Sequence, residues 1–342
     1  MNTFIIAEAG VNHNGNADMA LRLVDVAADA GADAIKFQSF SADKLTRLGA
    51  DTAEYQRAAT GHSDQYNMLK ALEISEELHH ALFERAHARG IEFMSTAFDE
   101  GSFDFLVALG LKRVKVPSGE LTNTPFLRHM ARSGLPLIVS TGMATLEEVV
   151  DAVSVIKATR EAAGIVPVPN DLAILHCTSN YPAMPEHVNL RAMQTIADAT
   201  GAVMGYSDHT LGIAVSTAAV AMGAKTIEKH FTLDKSLPGP DHGASLDPEE
   251  LKALVRAIRD IEKALGDGVK QPTASEVPIR ALVRRSVTAV RDIEADATVR
   301  AEDITLLRPG TGIPPADLDK VYGRRTARRI AAGETVVWSD LQ

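Results

Sequence analysis

From residue 4 to about residue 265 the chain alternates short apolar runs with longer amphipathic stretches. The runs at 4–7, 34–37, 91–94, 114–116, 137–139, 173–175, 203–205 and 226–227 have the length and composition of buried strands. Between them, 19–30, 76–88, 103–109, 125–132, 146–157, 190–199 and 211–222 repeat apolar positions at helical spacing. A last helical stretch, 248–265, opens with Asp247 as cap and Glu249 and Glu250 in its first turn, where the helix dipole favours negative charge. Glycines such as Gly31, Gly90, Gly110 and Gly201 stand at helix exits, where the backbone turns left-handed. Eight β-then-α units in series predict the α/β class and a (β/α)8 TIM barrel; a doubly wound sheet, the competitor, rarely needs eight consecutive units.

The segment 41–75, with Tyr55 and Tyr66, is too long for a simple loop and is expected to form a partly helical insertion over the rim. The barrel is expected to span 1–265, with a Gly- and Pro-containing linker at 266–281. A small β-rich module follows at 282–342, with β-like runs at 287–289, 304–307 and 336–338. A module of this size has a marginal core, so it should lean on the barrel or on another subunit.

Polar side chains gather where each apolar run stops. Glu8 follows the first run, Lys36 and Gln38 belong to the second, and Ser95 and Thr96 follow the third. Lys115, Ser118 and Glu120 mark the fourth, Ser140 and Thr141 the fifth, and Cys177, Ser179 and Tyr181 the sixth. The last two runs end in Ser207-Asp208-His209 and Glu228-Lys229-His230, with a helical stretch between them. In a barrel these ends share one rim. His209 and His230 would meet there, too few for a closed zinc site but suited, with oxygen donors and open positions, to a catalytic Mn2+ or similar ion. Lys36, Lys115, Ser118, Ser140, Thr141 and Ser207 could cradle an oxyanion such as phosphate. Glu8, Glu120, Asp208, Glu228 and Asp241 could bind sugar hydroxyls, act as base or hold a cation. His62, His79, His80, His87, His129 and His187 are read as structural or surface groups, and Cys177 as a packing residue. His13 either orients Glu8 or caps its turn.

Net charge is −10, which disfavours nucleic acid and anionic membrane as partners. Residues 278–342 nevertheless hold eleven Lys and Arg against nine Asp and Glu, so that stretch carries +2 and the rest −12. A basic module beside an acidic body fits docking within or between subunits as well as chance clustering. The lone Cys177 excludes an intrachain disulfide framework. Without a signal-like start or a long apolar stretch, a cytoplasmic protein is expected.

The motifs Ile5-Ile6-Ala7-Glu8-Ala9-Gly10-Val11-Asn12-His13-Asn14-Gly15, Ile35-Lys36-Phe37-Gln38, Lys115-Val116-Pro117-Ser118-Gly119-Glu120, Ser140-Thr141-Gly142-Met143, Gly205-Tyr206-Ser207-Asp208-His209-Thr210, Ile227-Glu228-Lys229-His230-Phe231 and Pro238-Gly239-Pro240-Asp241-His242 resemble those of bacterial sialic acid synthases. Arg308-Pro309-Gly310-Thr311-Gly312 resembles the start of their antifreeze-like (SAF) domain. The resemblance implies a transferase that condenses phosphoenolpyruvate with N-acetylmannosamine or a related N-acylated mannosamine, giving a sialic acid and phosphate. It implies that His209 and His230 bind Mn2+, or another divalent ion such as Mg2+ or Co2+. Lys36, Thr96, Lys115, Ser118, Ser140 and Ser207 would then hold phosphoenolpyruvate. Glu8, Gln38, Ser179, Tyr181, Glu228 and Asp241 would face the open-chain sugar, and Glu120 would position water. Arg308 would reach the N-acyl group from the partner of a domain-swapped homodimer. The loop Thr178-Ser179-Asn180-Tyr181-Pro182 is closer to synthases of legionaminic-type acids, whose acceptor is 2,4-diacetamido-2,4,6-trideoxymannose. Rival readings are another barrel making a 3-deoxy-ulosonate, a Schiff-base aldolase using Lys36, Lys115 or Lys229, and a non-catalytic carbohydrate-binding protein.

Overall fold

The computed structural model describes residues 2–51, 57 and 64–342. The chain divides into two compact units, Met1–Gly266 and Asp267–Gln342. In the first, the apolar runs become β1 (Phe4–Gly10), β2 (Ala34–Ser39), β3 (Glu92–Ala97), β4 (Val114–Val116), β5 (Leu137–Ser140), β6 (Leu172–Cys177), β7 (Val203–Asp208) and β8 (Thr226–His230). They form one parallel sheet in the order β3-β2-β1-β8-β7-β6-β5-β4. Because β1 pairs with both β2 and β8, the sheet curls into a near-closed barrel, with β3 and β4 side by side at the seam. The expected (β/α)8 architecture is borne out.

Most strands run past the apolar residues that announce them. The reason lies in the alternation of side chains along a strand. One face stays apolar and packs on the helices, as with Ile5, Ala7, Ile35, Phe37, Val116 and Val139. The other face points into the barrel and changes character along its length. Ile6, Ala34, Met94, Ile138, Ala173 and Leu175 plug the interior as a separate apolar cluster. Two residues further along those strands stand Glu8, Lys36, Thr96, Ser140 and Cys177, all buried. Ladder bonds continue through these polar positions because their backbone is still inside the sheet.

Several helices begin on side-chain caps, as expected for Asp247. Asn16, Ser75, Asp99, Asn123, Thr145 and Asp247 each accept a first-turn N–H, and Asp247 forms a capping box with Glu250 at the start of Pro248–Leu265. The 41–75 segment contains the short helices Ala42–Leu45 and Gln65–Lys70, tied by Tyr66 Oη to Asp43 Oδ1 at 2.6 Å. Its Met68 and Leu72 pack with Phe40 and with Val11 of the β1 loop. Tyr55 and His62 lie outside the described residues.

The barrel's two chain ends are latched together. Arg259, on Pro248–Leu265, donates to Thr3 O at 2.8 Å and to Asp33 Oδ2 at 2.6 Å, and the same carboxylate oxygen accepts from Ile5 N at 2.8 Å.

In the second unit, β9 (Ser286–Ala289) and β10 (Ile304–Leu307) form an antiparallel pair around Val287, Ile293, Val299, Ile304, Ile330 and Val336. The third β-like run is not a strand, although Val336 N donates to Val287 O at 2.9 Å. Part of the stretch expected as linker is helical. Glu276–Val283 starts on a reciprocal cap, with Thr273 N donating to Glu276 Oε2 at 2.8 Å and Glu276 N to Thr273 Oγ1 at 3.3 Å.

Gly205 marks the waist of the barrel: a Cβ there would lie 2.3 Å from Leu175 Cδ2 and 2.8 Å from Thr226 O. Gly205→Ala should therefore lower stability by about 1–3 kcal/mol through overpacking. A urea or thermal melt checks this, and an unchanged midpoint would refute it.

Candidate active site

At the carboxyl ends of the strands lies a cavity of about 380 Å3. Lining it are Glu8, Lys36, Gln38, Thr96, Lys115, Ser118, Ser140, Ser179, Tyr181, Ser207, His209, Glu228 and His230, drawn from all eight strand ends. Within it four buried charges alternate. Lys36 Nζ stands 2.7 Å from Glu8 Oε2 and 3.8 Å from Glu228 Oε2, while Lys115 Nζ lies 3.5 Å from Glu228 Oε1. Each lysine also has a hydroxyl partner, Thr96 Oγ1 at 2.8 Å for Lys36 and Ser140 Oγ at 2.7 Å for Lys115. Ser207 Oγ donates to Glu228 Oε1 at 3.1 Å, and Gln38 Nε2 to Glu8 Oε1 at 3.3 Å.

The four titrations separate. Burial opposes the charge on Lys36, but Glu228 and Glu8 outweigh it and hold the ammonium above its usual range. Burial dominates at Lys115 and pushes it down. Glu228 is also penalised by burial, yet Lys115 and Lys36 keep it below the ordinary carboxylate value. Glu8 is pushed up to about 7, chiefly by burial and against the pull of Lys36. One carboxylate is thus held ionised, and the other is poised to carry a proton near neutrality.

His209 and His230 face each other with ring centroids 5.4 Å apart, and Tyr181 packs 4.1 Å from the first and 5.6 Å from the second. His209 Nδ1 lies 2.7 Å from Thr178 O. A carbonyl only accepts, so Nδ1 carries the proton and the Nε2 lone pair is left for a ligand. Burial holds His230 well below its usual value, and hence neutral; its Nδ1 is buried without a hydrogen bond, 3.9 Å from Asp241 Oδ2. Asp241 itself is pushed up to about 6 by burial. Among the described residues no three His, Cys, Asp or Glu side chains group as a metal site. Burial opposes charge on His209, but its contacts with Cys177 and Thr178 O outweigh it and raise the ring above its usual value. Two facing imidazoles with orphaned polar atoms nearby fit an ion whose remaining ligands come from substrate and water.

Some expected residues stand elsewhere. Asp208 and Lys229 neighbour pocket residues in sequence and therefore point out of the barrel. They pair with each other at 3.0 Å, and Ser216 and Thr210 also bind Asp208. Lys229 is thus no part of the cavity. Glu120 ends the turn Ser118–Glu120 and accepts from Asn123 Nδ2 at 2.6 Å, outside the cavity lining. Asp241 is buried behind His230 rather than in the lining. Arg308 is exposed just past β10 in the second unit. His13 is fully buried, its Nδ1 accepting from Gly15 N at 3.0 Å, so it caps the β1 turn. His79 is a buried structural group bonded to Ser39 and to Ser75 O. Missing from the sequence reading are Phe98 and Met143, which line the cavity; Met143 follows the strand-end Ser-Thr-Gly, the one signal that could have pointed to it. Cys177 also lines it, with Sγ 3.7 Å from His209 Nδ1.

The fold and site define a barrel enzyme whose cavity at the strand ends holds two buried lysines, two buried carboxylates and a pair of facing imidazoles. Residues 23–270 match the NeuB family, and residues 284–342 match the SAF domain. The chain is 55% identical over 343 residues to the N,N'-diacetyllegionaminic acid synthase of Legionella pneumophila, covering 100% of this chain and 95% of that one. It is 44% identical to the Campylobacter jejuni enzyme of the same name, over 98% of each. The N-acetylneuraminic acid (sialic acid) synthetase of Leptospira borgpetersenii is structurally similar, with a TM-score of 0.70 and 37% identity over 82% of this chain and 90% of that one. The chain belongs to the NeuB family and is a phosphoenolpyruvate-dependent nonulosonic acid synthase with a C-terminal SAF domain.

The raised Glu8 has a consequence for stability. Between its usual 4.5 and about 7, the folded chain keeps a proton that the unfolded chain has released. Stability therefore falls as pH rises through that window. Glu8→Gln should flatten the decline by about 1–3 kcal/mol. Parallel urea titrations at pH 4.5 and 7.5 test it, and equal slopes for both proteins would disprove the assignment.

Proposed function

We propose that the chain condenses phosphoenolpyruvate with 2,4-diacetamido-2,4,6-trideoxymannose, giving N,N'-diacetyllegionaminate and phosphate, in the cytoplasm and as a homodimer with a swapped SAF domain. This is the narrower of the readings that the sequence allows; N-acetylmannosamine is the broader family-level acceptor. The two relatives named above favour it, as does the loop around Ser179. The observation that carries the chemistry is one cavity holding two buried lysines, each with a hydroxyl partner, beside paired imidazoles.

Lys36 and Lys115 bind the phosphate and carboxylate of phosphoenolpyruvate, with Thr96, Ser118, Ser140 and Ser207 donating to the same oxygens. Tyr181 and Gln38 hold the open-chain sugar, and Arg308 of a swapped SAF domain reaches its N-acyl group. His209 and His230 would hold a divalent ion such as Mn2+, which would supply Lewis-acid polarisation of the sugar aldehyde. The enol carbon then attacks the aldehyde carbon, and Glu8, carrying its proton near neutral pH, protonates the nascent alkoxide oxygen. Glu228, kept ionised by two lysines, accepts a proton from the water that adds to C2. Glu120, expected to position that water, is instead engaged with Asn123. The resulting tetrahedral carbon expels phosphate by C–O cleavage, and the lysines stabilise the departing charge.

Phosphate release measured with phosphoenolpyruvate and a panel of mannosamine derivatives should give the highest kcat/KM with the diacetamido-trideoxy sugar. A higher value with N-acetylmannosamine would overturn the acceptor assignment. Exhaustive chelation should abolish turnover and Mn2+ should restore it, while His209→Ala should lose calorimetric Mn2+ binding. Turnover that survives chelation would refute the metal role.

A further inference from the structure

The catalytic cavity, at about 380 Å3, lies toward the low end of the size of a single small-molecule site (about 300–1,000 Å3). The proposed reaction brings two substrates into it together. Directly beside it is a second cavity of about 620 Å3, and Met143, Cys177 and Ser179 line both. Gly142 packs against the wall they share. A Cβ at that position would stand 2.1 Å from Ser179 Oγ and 3.3 Å from Cys177 Sγ, so any larger residue would crowd the shared wall.

The far side of the second cavity is built by the first turns of the helices Leu146–Ala162 and Ala192–Thr200. Arg191, Asn189 and the apolar Val149 are among the residues that line it. We propose that this cavity is the subsite for the end of the acceptor remote from its aldehyde, and specifically for its second acetamido group. The inference rests on the diacetamido reading above and adds where that group is recognised. An acetamido group carries a carbonyl acceptor, an N–H donor and a methyl. Arg191 donates to the carbonyl, the Asn189 amide oxygen accepts from the N–H, and Val149 covers the methyl. The reacting end must stay between the lysines and the imidazoles, so the remaining carbons extend past Ser179 into the neighbouring space. An acceptor without the second amide leaves those groups to water and gains nothing from them.

Thr195 lines the second cavity only and is exposed on its helix, so a large side chain there fills the space without entering the core. With the full chain, phosphate release should show that Thr195→Trp raises the KM for the diacetamido sugar about tenfold or more. The KM for phosphoenolpyruvate and kcat should stay unchanged. Arg191→Ala, which adds no bulk, should shift the same KM in the same direction and serves if the Trp variant does not fold. An unaltered sugar KM in the folded variants, or an equal rise for both substrates, would overturn the subsite. If the unmodified enzyme releases no phosphate with the diacetamido sugar but does so with N-acetylmannosamine, the acceptor reading fails instead.

Discussion

Two lysines buried in the mouth of a barrel can keep their charge only if counter-charges are buried with them. The alternation Glu8–Lys36–Glu228–Lys115 meets that requirement, and much of the site's behaviour follows from it. The desolvation of any one of these groups would be costly alone. Together they leave Lys36 and Glu228 charged, Lys115 weakened and Glu8 near neutrality. Such a site is not tuned for stability. Replacing the four by apolar residues would make a conventional barrel core, continuous with Ile6, Met94 and Leu175 beneath. The electrostatic strain is retained where an enol phosphate, bearing several negative charges, would relieve the lysines.

How legible this was from the sequence follows from one periodicity. The run Ile5-Ile6-Ala7-Glu8 announces a strand by its apolar residues and a pocket residue by its last one. The same reading works for Lys36, Thr96, Lys115, Ser140, Ser207 and Glu228, all of which line the cavity. It fails where two polar residues are adjacent, because neighbours on a strand face opposite sides. Asp208 and Lys229 sit beside Ser207 and Glu228 in sequence yet form a separate buried pair outside the barrel. A lone apolar run cannot reveal which of two adjacent polar residues turns inward; the register between β7 and β8 does, by setting Asp208 opposite Lys229.

Other features were beyond the reach of pattern. Glu120 stands three residues after Pro117, and only the tight turn between them shows that it is drawn to Asn123 rather than to the cavity. The reciprocal cap at Thr273 and Glu276 was readable in principle, yet the Gly and Pro content of 266–281 suggested a linker instead. The second cavity arises from the spacing of two helices and leaves no mark on local sequence.

The latch between Arg259 and the first residues bears on how the protein is made. β1 forms ladders on both edges, and one of its partners, β8, is synthesised more than two hundred residues later. Until that segment leaves the ribosome, the first strand has an open edge, and Arg259, which follows later still, is not yet there to clasp Thr3 and Asp33. Seven strands can gather during translation, but the cylinder closes only once the eighth arrives. A nascent chain stalled before that point would expose an apolar strand edge to its neighbours, the situation in which chaperone help matters most.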